Sequence, residues 1–203
     1  MIRNVVFDFG QVLIRFEPKY MVEQYVTNPE DSALLQQVVF DRAYWDLLDW
    51  GKISDEETVA KCKERLPARL HDAAEKIYYN WIYHLPEIEG MRELIADLRQ
   101  EFGAGIFLLS NISTYFSSHR DEIPILSEID RCVFSAECGM VKPSAEIFAH
   151  LCKVCEIKKE ETVFIDDNEN NVCGAERFGI RAYLFDGDVK ALKKWLWSML
   201  QSQ

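Results

Sequence analysis

Apolar runs that end on polar residues recur along this chain, separated by stretches with helical spacing. Ile2-Arg3-Asn4-Val5-Val6-Phe7 reads as a buried strand that stops on Asp8, with Gly10 close behind. Ala104-Gly105-Ile106-Phe107-Leu108-Leu109 stops on Ser110-Asn111, and Thr162-Val163-Phe164-Ile165 stops on Asp166-Asp167-Asn168. Cys132-Val133-Phe134-Ser135 and Ile180 to Phe185 complete five predicted strands. Between them, helices are predicted from Met91 to Glu101, from about Ala145 to Val154 and through Ala175 to Phe178, where Gly179 ends the run. Ser144 is placed to cap the second of these, unless Pro143 occupies its first turn. A tail helix sets Leu192, Trp195, Leu196, Met199 and Leu200 at helical spacing, so it packs on the core. Strands separated by helices predict a parallel sheet covered on both faces.

Residues 17–86 break this alternation, because no strand is predicted there. Tyr20, Met21, Tyr25 and Val26 form one apolar face, and Leu34, Leu35, Val38 and Val39 a second. Ser54 with Glu57 has the form of a capping box, another helical run extends from His71 to Tyr83, and Leu85-Pro86 closes the region. The expected architecture is therefore α/β: a Rossmann-like parallel sheet built from residues 1–16 and 87–203, interrupted after its first strand by a helical cap domain over 17–86.

The chain of 203 residues is 48% apolar and 28% charged, ordinary values for a soluble protein, and no segment reaches the apolar length of a membrane span. No export signal is read at the N-terminus, and six cysteines dispersed through predicted helices and strands suit reduced thiols, so a cytoplasmic location without disulfides is expected. A net charge of −11 disfavours nucleic acid. A small anionic substrate stays compatible if the site itself supplies positive charge. A monomer or weak homodimer is expected.

Four stretches thus carry polar groups to one predicted sheet edge: Asp8, Ser110 with Asn111, Lys142, and Asp166 with Asp167. Asp8 alone reads equally as a cap or turn aspartate; the ordered set does not reduce to loop ends. Asp8-Phe9-Gly10-Gln11-Val12-Leu13, Leu109-Ser110-Asn111, Lys142-Pro143 and Ile165-Asp166-Asp167-Asn168-Glu169-Asn170-Asn171-Val172 together resemble the four motifs of the haloacid dehalogenase-like hydrolases that carry a helical cap. The resemblance spans the chain and implies a phosphatase in which Asp8 attacks phosphorus to form an aspartyl-phosphate. It further implies Mg²⁺ as cofactor, held by Asp8, Asp167 and the Gly10 carbonyl, with Asp166 contributing from behind them. Lys142 would offer charge to Asp8 and the phosphoryl group, and Ser110, Asn111 and Ile112 would hold phosphoryl oxygens.

Gly10 departs from the pattern, since most phosphatases of this family carry there an aspartate that serves as general acid and base, an assistance worth ~10²–10⁴-fold. Another carboxylate or a water would have to replace it, and Glu17, just beyond the first motif, is one candidate. A sugar C1 phosphate, whose leaving group is a hemiacetal, needs less help, and the chain is most similar to the α-D-glucose-1-phosphate phosphatase type, which shares this glycine. A small phosphorylated metabolite such as glucose 1-phosphate is the expected substrate. Two other readings compete: a metal-free 2-haloacid dehalogenase, disfavoured by the paired Asp166-Asp167, and a catalytically weak phospho-ligand binder, favoured by Gly10. Within the cap, Tyr44, Trp45, Trp50 and Lys52 are candidates to face the sugar, against simple burial. Cys152 and Cys155 read as two core thiols, and the four histidines carry no ligand spacing.

Overall fold

The computed structural model describes residues 1–201. Strands β1 (Asn4–Phe7), β2 (Gly105–Ser110), β3 (Arg131–Phe134), β4 (Thr162–Asp166) and β5 (Arg181–Leu184) form one sheet in the order β3-β2-β1-β4-β5, every pair parallel. Because helices cover both faces, Val5, Val6 and Phe7 on the central strand are all fully buried, which is why the sequence shows continuous apolar runs rather than alternation. Phe7 lies level with Leu108 on one side and Ile165 on the other. That register carries the residues that follow, Asp8, Ser110 and Asp166, to the same carboxyl edge. The strand order also reverses at β1, the position where open α/β sheets leave a crevice.

β1 begins at Asn4 rather than at Ile2, and backbone bonds to its neighbours reach one residue earlier, with Arg3 N–H donating to the Glu161 carbonyl at 2.8 Å and the Arg3 carbonyl accepting from Gly105 N–H at 2.9 Å.

Helices α1 (Pro18–Glu23), α2 (Pro29–Val39), α3 (Arg42–Asp49), α4 (Asp55–Glu64) and α5 (His71–Asn80) lie in the segment expected to be helical, with a 3₁₀ turn over Trp81–Tyr83 ending the run drawn from His71. They enclose an apolar cluster of their own, including Leu35, Val39, Val59, Ile77 and Tyr78. The chain leaves and rejoins the sheet side by side: Arg15 N–H donates to the Pro86 carbonyl at 2.8 Å and Ile88 N–H to that of Leu13 at 3.0 Å. Ser54 accepts the Glu57 N–H at 3.1 Å, the N-cap half of the predicted box. In the short α1, Val22 rather than Tyr20 joins Met21 in the interior, and Tyr20 projects to solvent.

Helix α6 (Met91–Phe102) precedes β2, α7 (Thr114–Ser118) and α8 (Ser135–Cys138) flank β3, and α9 (Ala145–Cys155), α10 (Glu169–Phe178) and α11 (Val189–Gln201) complete the cover. Ser144 occupies the N-cap position of α9, but its side chain accepts no backbone N–H, and Pro143 lies outside the helix. Gly179 ends α10 at φ +104°, and α11 buries Leu192, Leu196 and Leu200. All six cysteines are free thiols. No helix among the described residues is long and apolar enough to cross a membrane.

One close approach escaped the sequence. A Cβ on Gly174 of α10 would meet both the Cβ and the carbonyl oxygen of Pro143 at 2.6 Å, so only glycine lets α10 pack against the turn that carries Lys142. Gly174→Ala is expected to lower stability by about 1–3 kcal/mol, as overpacking does, measurable by urea denaturation.

Candidate active site

Asp8 follows β1 directly, and its Oδ1 lies 2.7 Å from the Nζ of Lys142, which reaches Oδ2 of Asp166 at the same 2.7 Å. The lysine and both of these aspartates are buried. An ammonium carries three donors, so holding two carboxylates is within its capacity. Its backbone is fixed by a two-point clamp: the Asn111 side-chain oxygen accepts the Lys142 N–H at 2.8 Å, and the Asn111 amide nitrogen donates to the Lys142 carbonyl at 3.1 Å. Asp166 is saturated in turn, with Oδ1 accepting from Asn168 N–H at 2.8 Å and both oxygens facing the Asn171 amide at 3.1 Å.

Asp8, Asp166 and the exposed Asp167 each offer an oxygen, and these oxygens lie within 4.8 Å of one another. Two oxygens bound to one Mg²⁺ can be at most about 4.2 Å apart, given bonds of about 2.0–2.1 Å, so small side-chain adjustments suffice to share a cation. The charges ask for one: three carboxylates against a single ammonium leave a balance of −2. Hard oxygen donors with that deficit fit a divalent cation such as Mg²⁺. Burial pushes the Asp8 carboxyl up to about 6, with Lys142 opposing, and partial burial and the neighbouring Asp166 raise Asp167.

The site opens into a cavity of about 620 Å³ whose lining joins the sheet edge to α3. Asp8, Gly10, Ser110, Asn111, Ile112, Lys142 and Asp167 all line it, whereas Asp166 stands behind them. The Asn111 side chain is committed to the Lys142 clamp, so what remains for a ligand is its backbone. The Ile112 N–H is likewise spent on Ser135 Oγ at 2.9 Å, and Ile112 therefore contributes apolar lining rather than a donor. Glu17 is not among the lining residues; it sits at the N-cap position of α1. Of the four cap candidates, Trp45 and Trp50 reach the cavity, while Tyr44 packs under Arg65 and Lys52 lies over the Trp50 ring. Trp45 is held in an aromatic seam with Phe16, Phe40 and Trp81, at centroid distances of 5.3 to 5.5 Å.

Among the lining residues, Arg42, Asp46 and Asp49 went unread in the sequence, as did the rings of Phe16 and Trp81, and Asn171 stood in the fourth motif without a role of its own. Asp49 carried one signal, since an aspartate in the last turn of a helix opposes the helix dipole and calls for another reason to be there. Asn171 had none beyond its place in the first turn after the paired aspartates. At Gly10 a Cβ would meet no atom within 4 Å, so packing does not demand the glycine.

The raised carboxyls carry a stability signature. A carboxyl whose folded-state pKa exceeds its unfolded value stabilises the fold at low pH, and that contribution is lost as pH rises through the folded pKa. The loss begins near the ordinary carboxyl value of 3.8 and is complete once pH passes the folded values, about 6 for Asp8 and about 7 for Asp49, both pushed up by burial. Metal-free protein is therefore expected to melt at a higher temperature at about pH 5.5 than at about pH 8, and divalent cation is expected to recover part of the difference at the higher pH. Calorimetry with and without chelator checks both.

A parallel α/β sheet with a lysine-bridged acidic centre at its switch point defines an enzyme class that works by oxygen-ligand and carboxylate chemistry. The family model for haloacid dehalogenase-like hydrolases matches residues 2–179, and the chain belongs to that family. It is 24% identical over 193 residues to a D-ribitol-5-phosphate phosphatase from Bacteroides thetaiotaomicron, covering 90% of this chain and 91% of that one. A haloacid dehalogenase-like hydrolase from Porphyromonas gingivalis superposes with a TM-score of 0.71 at 26% identity, over 97% of this chain and 98% of the other. A family enzyme from B. thetaiotaomicron in complex with magnesium and inorganic phosphate gives a TM-score of 0.69 at 22% identity, over 95% and 99%.

Proposed function

We propose that this protein is a Mg²⁺-dependent phosphomonoester hydrolase acting on a small phosphorylated metabolite, a sugar or polyol phosphate, through an aspartyl-phosphate on Asp8. The observation that carries the reading is the clustering of three carboxylates, two of them bridged by one buried lysine, at the mouth of a cavity. A dehalogenase attacking carbon has no use for that surplus negative charge, whereas a site that must receive a phosphate beside a cation has.

In this reading, Asp8, Asp167 and the Gly10 carbonyl hold Mg²⁺, which when bound neutralises phosphoryl charge. Asp166 keeps Lys142 aimed at Asp8. Lys142 and the Ser110 hydroxyl take phosphoryl oxygens, and the free Asp8 oxygen attacks phosphorus in line with the departing ester oxygen. Residues 17–86 serve as a cap that closes over the reaction and excludes water. Trp45, Trp50 and Arg42 give the cavity faces and a charge suited to a polyhydroxylated chain. The resemblance to the glucose-1-phosphate type and the relative acting on D-ribitol 5-phosphate both favour this substrate class.

A phosphatase panel of glucose 1-phosphate, glucose 6-phosphate, ribitol 5-phosphate and glycerol 3-phosphate, run with Mg²⁺ and with chelator, tests the reading. Phosphate release that needs Mg²⁺ is the expected result. Halide release from 2-chloropropionate that persists in chelator, with no phosphatase activity, would make the protein a dehalogenase.

A further inference from the structure

Asp49 is a buried acid with nothing to hold. It is 6% exposed, lines the same cavity as Asp8 and Lys142, and its Oδ1 is the one buried side-chain oxygen or nitrogen among the described residues without a hydrogen-bond partner. An unpartnered buried oxygen is costly to keep, so a position that retains one invites a functional reason. The residue is also anchored across the cavity. Its backbone carbonyl accepts from Ser135 Oγ of the sheet domain, and a Cβ on nearby Gly51 would come 2.9 Å from the Ala136 carbonyl oxygen. The end of α3 is thereby fastened to α8, which fixes where the Asp49 carboxyl can point.

Resting on the phosphatase reading, we propose that Asp49 is the general acid and base of this enzyme, supplied from the helical segment in place of the side chain that Gly10 lacks. In the first step an Asp8 oxygen forms a bond to phosphorus while the phosphorus–ester oxygen bond breaks. Its electron pair goes to the leaving oxygen, which takes the Asp49 proton. In the second step water attacks phosphorus, the Asp8–phosphorus bond breaks with its pair returning to Asp8, and the water proton passes to the Asp49 carboxylate. Phosphate and alcohol leave, and both aspartates are restored.

The environment suits both halves of that cycle. Burial raises the Asp49 carboxyl to about 7, Asp46 on its own helix and Asp8 across the cavity push the same way, and Arg42 and Lys142 oppose them. Near neutral pH such a group is present in both forms, which is the condition for an efficient proton shuttle.

The test compares leaving groups in the first turnover, with Mg²⁺ present. The alkyl phosphate of the panel that wild type turns over fastest is set against p-nitrophenyl phosphate, whose phenolate departs without a proton. Asp49→Asn is expected to slow alcohol release roughly 10²-fold or more while changing the nitrophenol burst only a few-fold, the retained burst showing that the variant is folded. In wild type, first-turnover alcohol release should fall as pH rises through about 7 while the nitrophenol burst does not. Equal slowing on both esters, or no slowing on the alkyl ester, overturns the assignment by showing a binding or structural role. Should Asp49→Asn fail to fold, the wild-type profiles decide alone, and identical profiles for the two esters overturn it. A wild type that releases phosphate from neither ester overturns the phosphatase reading itself.

Discussion

Asp8→Asn is expected to abolish ester hydrolysis, by roughly 10³-fold or more, while leaving the protein folded. The amide keeps the shape of the carboxyl, and its oxygen still accepts from Lys142 Nζ, so the 2.7 Å contact with Oδ1 has a successor. What is lost is the charged oxygen able to attack phosphorus, for which an amide is no substitute. Stability should not follow activity downward. The substitution removes one of three clustered carboxylates, and metal-free Asp8→Asn at about pH 8 is expected to melt no lower than wild type. Intact-protein mass spectrometry after mixing with substrate gives an independent measure: a covalent phosphoryl adduct on wild type and none on the variant. Hydrolysis that survived in Asp8→Asn would place the nucleophile elsewhere.

The second large effect belongs to Lys142. Lys142→Met keeps the length and apolar stem but removes the ammonium that both Asp8 and Asp166 share. Taking one partner from a buried ion pair costs about 3–5 kcal/mol, because the remaining charges are left uncompensated. Here two carboxylates are stranded, one of them fully buried. Loss of the cation removes the charge that opposes the raised Asp8 carboxyl, so Asp8 binds a proton more readily, and the destabilisation should be greatest at about pH 8 and shrink as pH falls. Urea denaturation at about pH 5.5 and about pH 8 reads the difference. The double variant Lys142→Met with Asp166→Asn should recover part of the stability and none of the hydrolysis, which separates the charge balance of the site from its chemistry.

The strand ends were readable because a fully covered parallel sheet writes each strand as an unbroken apolar run, and the polar residue that ends the run marks the sheet edge. Asp8, Ser110 and Asp166 could be assigned to one edge on that ground, as could the glycine that closes α10. The roles of neighbours were harder to read. The Asn111 side chain is a clamp on the Lys142 backbone, which leaves its own backbone for a ligand, while the Ile112 N–H is turned to Ser135. Both outcomes depend on contacts between residues far apart in the chain, which no local pattern encodes. Gly174 is the same kind of case, since an unremarkable helical glycine becomes indispensable only when Pro143 is laid against it.

Periodicity and strand punctuation are local properties of the chain, so the sheet, its helical interruption and the acids at its edge could be read from residue order. The packed structure alone settles which of those groups remain free. Lys142 spends two of its three donors on aspartates and keeps one for a ligand, while Asp166 is met by four hydrogen bonds and stands behind the cavity wall, so the deficit of positive charge falls on Asp8 and Asp167. It also decided that Asp49, one acid among several on an amphipathic helix, is buried without a partner over the site, because α3 docks on α8 through Ser135 and Gly51. Burial and pairing arise from packing between distant segments, and they are what turn a carboxylate into a ligand, a brace or an acid.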